Sequence, residues 1–422
     1  MRSEHLPGIG FFRCLKKGIK FLVGRKGVSK LLSTFYRLES CWSNMKVTLL
    51  TFVCRFSYCQ KSFFSQYELF QFRKKPCPGV HLSASYSVKG KGRPHVLFIT
   101  EKWCDTNPSF GLTNSVHNFF GSLEATGLAT QEHFHYDEYY YLFHRRGEAA
   151  LMARCLKGGI DVVVLTWTIG SPYNICSAVI KKIKEAGIFV VAIWFDSVHP
   201  WCQQVMKKIG RLVDLNIPID SSSAWQKAGL SEKSVLPMWT PQDPRVFFDP
   251  RLPRDIPVSF LGSLSGRPER LQALRALNAA GITVFQAGGQ RERPLAIEDY
   301  ARILMRSKMT LNFSNPEPCC QLKGRVFEAT LCGCLLVESE NLETCKYLKP
   351  MVDYISFKEE RDLIEKVCYY LSHEEEREAI ARNGHRKVVS KYNAEVFWRT
   401  VLAVIDSKRV EKNGKPGEKT GC

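Results

Sequence analysis

The chain has 422 residues, 45% of them hydrophobic and 24% charged, which is enough for two domains with separate cores and excludes a disordered or fibrous protein. Its formal charge of +19 invites a nucleic-acid reading, yet residues 1–92 hold 17 Lys and Arg against 3 acidic residues and the remainder 43 against 38, so nucleic acid is not the expected partner of the body. Sixteen cysteines without one C-x-x-C argue against a disulfide framework or a zinc site and for reduced thiols in a cytosolic protein.

Residues 1–92 mix bases (Lys16, Lys17, Arg25, Lys26, Arg73, Lys74, Lys75) with scattered aromatics and show no sustained period. The longest apolar run, residues 47–54, is far short of the ~20 needed to span a bilayer, and no convincing signal-cleavage site follows it. A basic amphipathic helix over residues 11–36 would suit an anionic inner-membrane surface, although Gly18, Gly24 and Gly27 weaken it; a solvated extension is the alternative.

From residue 93 the pattern changes. HVLFIT (95–100) reads as a buried strand, followed by a polar loop and a helix over 113–126 with Asn118 and Ser122 on its polar side. DVVVLTW (161–167) and FVVAIWF (189–195) are further strands, separated by a helix over 173–186 that Gly187 ends. Such apolar strands alternating with helices predict a doubly wound domain over 93–240, with ligands beyond the strands' carboxyl ends. Asp196 and His199 follow FVVAIWF directly and are the catalytic candidates; a loop cap and an ordinary surface imidazole are the alternative. In EHFHYDEYY (132–140), His133 and His135 would share one face of a strand, but His144 and Cys155 lack ligand spacing, so no metal site is expected.

Six prolines over 237–257 mark a linker, taken as 241–257, between this domain and a second over 258–404. VSFL (258–261) opens the second sheet. Gly262, Ser263, Ser265 and Gly266 then lead to a helix over 268–279, a small-residue loop through which backbone amides can approach a diphosphate, with Arg267 or Arg270 adding charge. It lacks the full G-x-G-x-x-G. A strand at 282–285, a helix at 297–307 and a strand at 309–313 follow, the last delivering Ser314.

QLKGRVFEATLCGCLLVESE (321–340) reads as a short helix, a turn at Gly333 and a buried strand from Cys334 to Val337. Lys323 and Arg325 at the helix start would meet phosphate and Glu328 would accept from sugar or ribose hydroxyls; a surface i,i+3 ion pair of Arg325 with Glu328 is the alternative. Charged helices at 359–371 and 374–392 read as solvated faces, and a last helix over 394–404 precedes a loose tail, 405–422.

The run from Gln321 to Leu348 together with EEREAIARNGHRKVV resembles the C-terminal half of the spore-maturation CgeB-like glycosyltransferases, group-1 type enzymes. The likeness covers residues 258–401 well, 94–239 more loosely, and not the first ninety or so. It implies a GT-B fold, two Rossmann-like α/β domains facing across a cleft, with the last helix crossing back onto the first. It further implies sugar transfer from a nucleotide-diphosphate sugar to a glycan, lipid or protein acceptor, in envelope or surface polysaccharide synthesis, with no cofactor. W-F-D at 194–196 is similar to the family's strand-end Asp, but where many related enzymes carry His just before it this chain has Phe195. Two glutamates eight apart are expected; eight before Glu328 stands Cys320, with Glu317 nearest. No D-x-D occurs, so the cations are expected to be Arg and Lys rather than metal. A nucleotide-sugar epimerase or isomerase, and a non-catalytic sugar or nucleic-acid binding protein, are the other function classes.

Overall fold

The computed structural model describes residues 92–413 apart from 169–170, 289–294 and 315–319; the expectations for the basic leader lie outside the described residues except at Gly92. Val- and Ile-rich segments build two five-stranded sheets, parallel throughout. The first contains β1 (His95–Thr100), β2 (Thr130–His135), β3 (Val162–Leu165), β4 (Phe189–Trp194) and β5 (Leu215–Pro218), in the order β2-β1-β3-β4-β5. The second contains β6 (Ile256–Leu261), β7 (Val284–Ala287), β8 (Ser307–Asn312), β9 (Leu335–Ser339) and β10 (Ile355–Phe357), in the order β7-β6-β8-β9-β10. The two windings are the same. In each, strand order turns back beside the first strand, so the crevice for a ligand opens between β1 and β3 and between β6 and β8.

Helices cover both faces. In the first half these are a π turn, Val116–Gly121, leading into α1 (Ser122–Thr126), then α2 (Tyr136–Phe143), α3 (Glu148–Leu156), α4 (Ser177–Glu185), α5 (Pro200–Ile209) and α6 (Ala224–Lys227). In the second they are α7 (Pro268–Ala279), α8 (Ile297–Arg306), α9 (Gly324–Leu331), α10 (Leu342–Cys345), α11 (Glu360–Ser372) and α12 (Glu374–Lys391), followed by α13 (Ala394–Asn413). Gly333 ends α9 at φ 66°, a conformation that glycine adopts without strain, and a Cβ there would displace the Arg254 and Asp249 side chains, 2.7 Å away.

The expected separate cores are only half right. The outer faces of the sheets have their own clusters, but the inner faces merge into one that runs from Phe98 and Val164 through Trp239 and Phe327 to Trp398. The Pro-rich stretch over 237–257 supplies the join: Trp239 sits among Tyr392, Phe397, Tyr347 and Phe327, with ring centroids 5.2–6.5 Å away. Arg245 ties the same segment to the first half through Glu124 at 2.7 Å and the Gly121 carbonyl at 3.1 Å. The last helix crosses back onto the first half, where Trp398 Nε1 donates to Ser122 Oγ at 2.8 Å. It also runs on to Asn413, past the expected end at Val404, because Ile405 is buried and Lys408 and Arg409 donate to the carbonyls of Lys233 and Asp161. Residues 405–413, expected as loose tail, are therefore helix. Among the described residues no helix is long and apolar enough to cross a membrane.

Candidate active site

The carboxyl ends of the two sheets face each other across a cleft of about 580 Å³. Its second-half wall is built by two strand ends with their loops and by three helices. Gly262 and Ser263 follow β6, Asn312 ends β8 with Phe313 after it, and Lys323 caps α9, which supplies Gly324, Arg325 and Glu328, while Tyr300 comes from α8 and Arg270 from α7. Gly262 leaves little room for a side chain: a Cβ would stand 3.2 Å from both Arg325 Nη2 and the Phe260 ring.

Arg325 and Glu328 are not a surface ion pair. Glu328 is buried and Arg325 half-buried, and Tyr300 stands between them: its hydroxyl donates to Glu328 Oε2 at 2.6 Å and accepts from Arg325 Nε at 3.2 Å. Arg325 also donates to Asn312 Oδ1 at 3.0 Å and to the Leu261 carbonyl. Burial lowers the Arg325 pKa, but Tyr300, Glu328 and Glu338 outweigh it and hold it above its ordinary range. Burial pushes the Glu328 carboxyl up, against the opposing pull of Tyr300 and Arg325. With Oε2 taken by Tyr300, Glu328 Oε1 beside Gly324 remains to accept from a ligand hydroxyl.

Arg270 is pushed down to about 10, first by burial and then by Arg267 and Arg325. Its Nη1 holds the Ser263 carbonyl at 3.0 Å, and its buried Nε has no partner among the described residues. Lys323 is lowered by burial too, while Asp196 and Asp220 raise it. Arg270, Lys323 and Arg325 thus concentrate positive charge on one water-poor wall, the arrangement a diphosphate would relieve.

The first-half wall centres on Glu101, the residue after β1 and 4% exposed. Its Oε1 accepts from Thr113 at 2.9 Å and Ser115 at 3.1 Å, and its Oε2 from Tyr136 at 3.0 Å and Thr166 at 2.9 Å. Four hydroxyls satisfy the carboxylate and draw the loop after β1, the end of β3 and the start of α2 together. Asn114, Asn118 and Thr168 line the same wall.

Of the residues expected from sequence, Gly262, Arg270, Lys323, Arg325 and Glu328 line this one cleft. Arg267 is exposed at the start of α7, where its charge reaches Arg270 and Lys323, and Ser314 follows Phe313 with its N–H on Ser339 Oγ at 2.8 Å. Asp196 and His199 do not line it. Asp196 accepts from Gln321 Nε2 at 3.0 Å; the same amide donates to Asp220 at 3.1 Å, and Lys323 donates to Gln321 Oε1. His199 stacks on Trp201 at 5.5 Å. Tyr300, Asn312, Gln321, Asp220, Glu338 and Glu101 were not singled out from the sequence. Of these only Glu101 carried a local signal, a carboxyl directly past a buried strand. Burial lifts Asp220 to about 6 and Glu338 to about 7.

The EHFHYDEYY segment is strand up to His135 and helix from Tyr136. His133 stacks on Phe120 at 3.6 Å and lies 4.4 Å from His135; burial takes the pair down to about 2 and about 4, so both are neutral rings. Among the described residues no group of three or more His, Cys, Asp or Glu is placed to hold a metal ion.

Comparison with known proteins adds to this geometry. Anabaena HepE in complex with UDP and glucose superposes with a TM-score of 0.52 at 12% identity, covering 75% of this chain and 100% of that one. HepE with UDP-glucose gives 0.50 at 13% identity, covering 74% and 99%. The fold is GT-B. A glycosyltransferase from Rickettsia africae gives 0.49 at 8% identity, covering 75% and 99%. Within the GT-B chain, residues 267–403 match the family described as glycosyl transferase-like. That match contains Arg270, Tyr300, Lys323, Arg325 and Glu328, so the cations of the cleft wall lie in the segment that is similar to this family. No curated protein matches the chain in sequence.

Proposed function

We propose that this chain transfers a sugar from a UDP-sugar to a glycan, lipid or protein acceptor, within the CgeB-like group, in the synthesis of envelope or surface polysaccharide. The observation that carries the reading is the cleft itself, with three buried or half-buried cations and the Tyr300-held Glu328 on one wall and a hydroxyl-rich wall opposite. Arg270, Lys323 and Arg325 take the diphosphate and hold the charge that grows on it as the glycosidic bond breaks. Glu328 Oε1 accepts from a donor hydroxyl. The acceptor lies against Glu101, Asn114, Asn118 and Thr168, and Asp196 serves the donor side through Gln321 and Lys323. Protein cations replace a metal clamp in this scheme, and residues 1–92 hold the enzyme at the cytoplasmic face of an anionic membrane.

A thermal-shift screen of the purified protein against a panel of nucleotide sugars tests the donor. At about a hundred times its dissociation constant, the true donor stabilises by about 2.7 kcal/mol. Stabilisation by no member of the panel would remove the reading, and product formed from donor without any acceptor would point to an isomerase.

A further inference from the structure

We propose a second anion site, on the face of the second half away from the cleft, that takes a small phosphate-bearing ligand. A cavity of about 550 Å³ lies at the amino ends of β6 and β9, the opposite end of the sheet from the cleft. That volume falls within the usual range of small-molecule sites. One wall is the linker from Asp249 to Arg254 and the other is α12, whose Glu378, Ala381, Arg382, His385 and Arg386 recur at helical spacing along one stripe.

The balance of charge in this cavity is what points to a ligand. Its two carboxylates are already matched: Asp249 to Arg254 at 3.3 Å and Glu378 to Arg377 at 3.3 Å. Arg254 is further spent on the carbonyls of Met305, Ser307 and Cys332, at 2.8–3.1 Å. Three guanidinium groups remain. Among the described residues Arg251 and Arg382 have no acidic partner, and Arg386 has only the Asn383 side-chain oxygen at 2.6 Å. Arg382 and Arg386 stand one turn apart on the same stripe, a like-charge pair that costs helix stability unless something neutralises it. Arg251 adopts φ 56°, unfavourable for a side chain with a Cβ, and Asp249 holds it there by accepting from its N–H at 3.0 Å. Concave shape, three uncommitted forks and a strained arginine suit phosphoryl oxygens, which take guanidinium groups two bonds at a time. Arg251, Arg382 and Arg386 are exposed to solvent around this concavity, and a flat basic face would suit a lipid surface better.

Inorganic pyrophosphate is the probe, titrated calorimetrically into the full chain at low salt. The wild type is expected to bind at two sites. Arg382→Ala/Arg386→Ala weakens one at least tenfold and spares the other, while Arg270→Ala does the reverse. Arg251→Gly weakens the same site as the double variant, and since glycine suits that backbone better it raises the melting temperature, which separates lost binding from lost folding. Pyrophosphate affinities unchanged in both the double variant and Arg251→Gly would overturn the proposal. So would co-sedimentation with phosphatidylglycerol vesicles that depends on Arg382 and Arg386 while pyrophosphate binding does not, since the face would then be a lipid contact. The Arg270→Ala arm rests on the proposed reading of the cleft, whereas the double variant and Arg251→Gly test the second site whatever the cleft binds.

Discussion

Tyr300 and Glu328 share a 2.6 Å hydrogen bond although α8 and α9 bring them together from 28 residues apart. Through it one phenol orients the carboxylate and, at 3.2 Å, the neighbouring Arg325. Replacing Tyr300 by Phe removes both bonds while keeping the ring. Stability is expected to fall by about 1–2 kcal/mol and kcat/KM by about tenfold, because Glu328 loses its fixed rotamer. Glu328→Gln keeps the shape and is expected to lose tenfold or more in kcat/KM without a lower melting temperature. The sign follows from its raised pKa: near pH 7 the buried carboxylate is less favourable folded than unfolded, so removing its charge does not destabilise. Equal kinetics in wild type and both variants would remove Glu328 from the site.

Arg325 and Arg270 should separate stability from binding. Arg325→Ala strands the oxygens of Leu261, Asn312 and Tyr300 in the interior and is expected to cost about 3 kcal/mol or more, together with diphosphate affinity. Arg270 is half-buried and makes fewer bonds, so Arg270→Ala should weaken UDP about tenfold with a melting temperature within a few degrees of wild type. Denaturation curves and UDP titrations on the two variants check this; a large stability loss in Arg270→Ala would contradict it.

Glu338 predicts a dependence of stability on pH. Its Oε1 accepts from Asn312 at 2.8 Å and Asn341 at 3.2 Å, and burial lifts the carboxyl from 4.5 to about 7. A carboxyl with a raised folded pKa holds its proton more tightly when folded. Its contribution is present at low pH and lost as pH rises from about 4.5 through about 7. Asp220, lifted to about 6, adds to the same trend. Glu338→Gln imitates the protonated form and should flatten the fall between pH 5 and 8, by on the order of 1–3 kcal/mol. Melting temperatures across that range decide; parallel curves for the two proteins would show that Glu338 is not the group responsible.

Chelation tests the source of positive charge. Because Arg270, Lys323 and Arg325 already face one wall, transfer should persist in EDTA. Activity abolished by EDTA and restored by Mg²⁺ or Mn²⁺ would show that these cations do not suffice.

A truncation starting at residue 93 tests the leader. It should retain transfer in solution and lose recovery on anionic vesicles, with the vesicle effect falling as salt rises. Failure of the truncated chain to fold would show that the described halves need it.

The sheets could be read from the sequence where strands are buried on both faces, since uninterrupted Val and Ile runs such as VVVL leave few other options. β5 could not: Asn216 and Pro218 hide it, and the fold accommodates the asparagine by pairing it with Trp194 Nε1 at 2.9 Å. β10, three residues long, is too short to show a period. At the cleft, Lys323, Arg325 and Glu328 were visible because one helix start carries all three. Tyr300 and Asn312 were not, since their roles exist only once α8, β8 and α9 meet. The merged core was hidden for the same reason: a Pro-rich stretch reads as a spacer, and nothing local reveals that Trp239 and Phe247 are buried.

The hydrogen bond from Trp398 to Ser122 spans 276 positions of the chain. During synthesis the first half leaves the ribosome long before the helix that completes it, so β1 and α1 must wait with the Phe98 side of their core uncovered. Early emergence therefore brings no early completion here. A nascent chain stalled at residue 390 should be degraded or held by chaperones as readily as one stalled at 250, and release of the last thirty or so residues should close both halves in a single step.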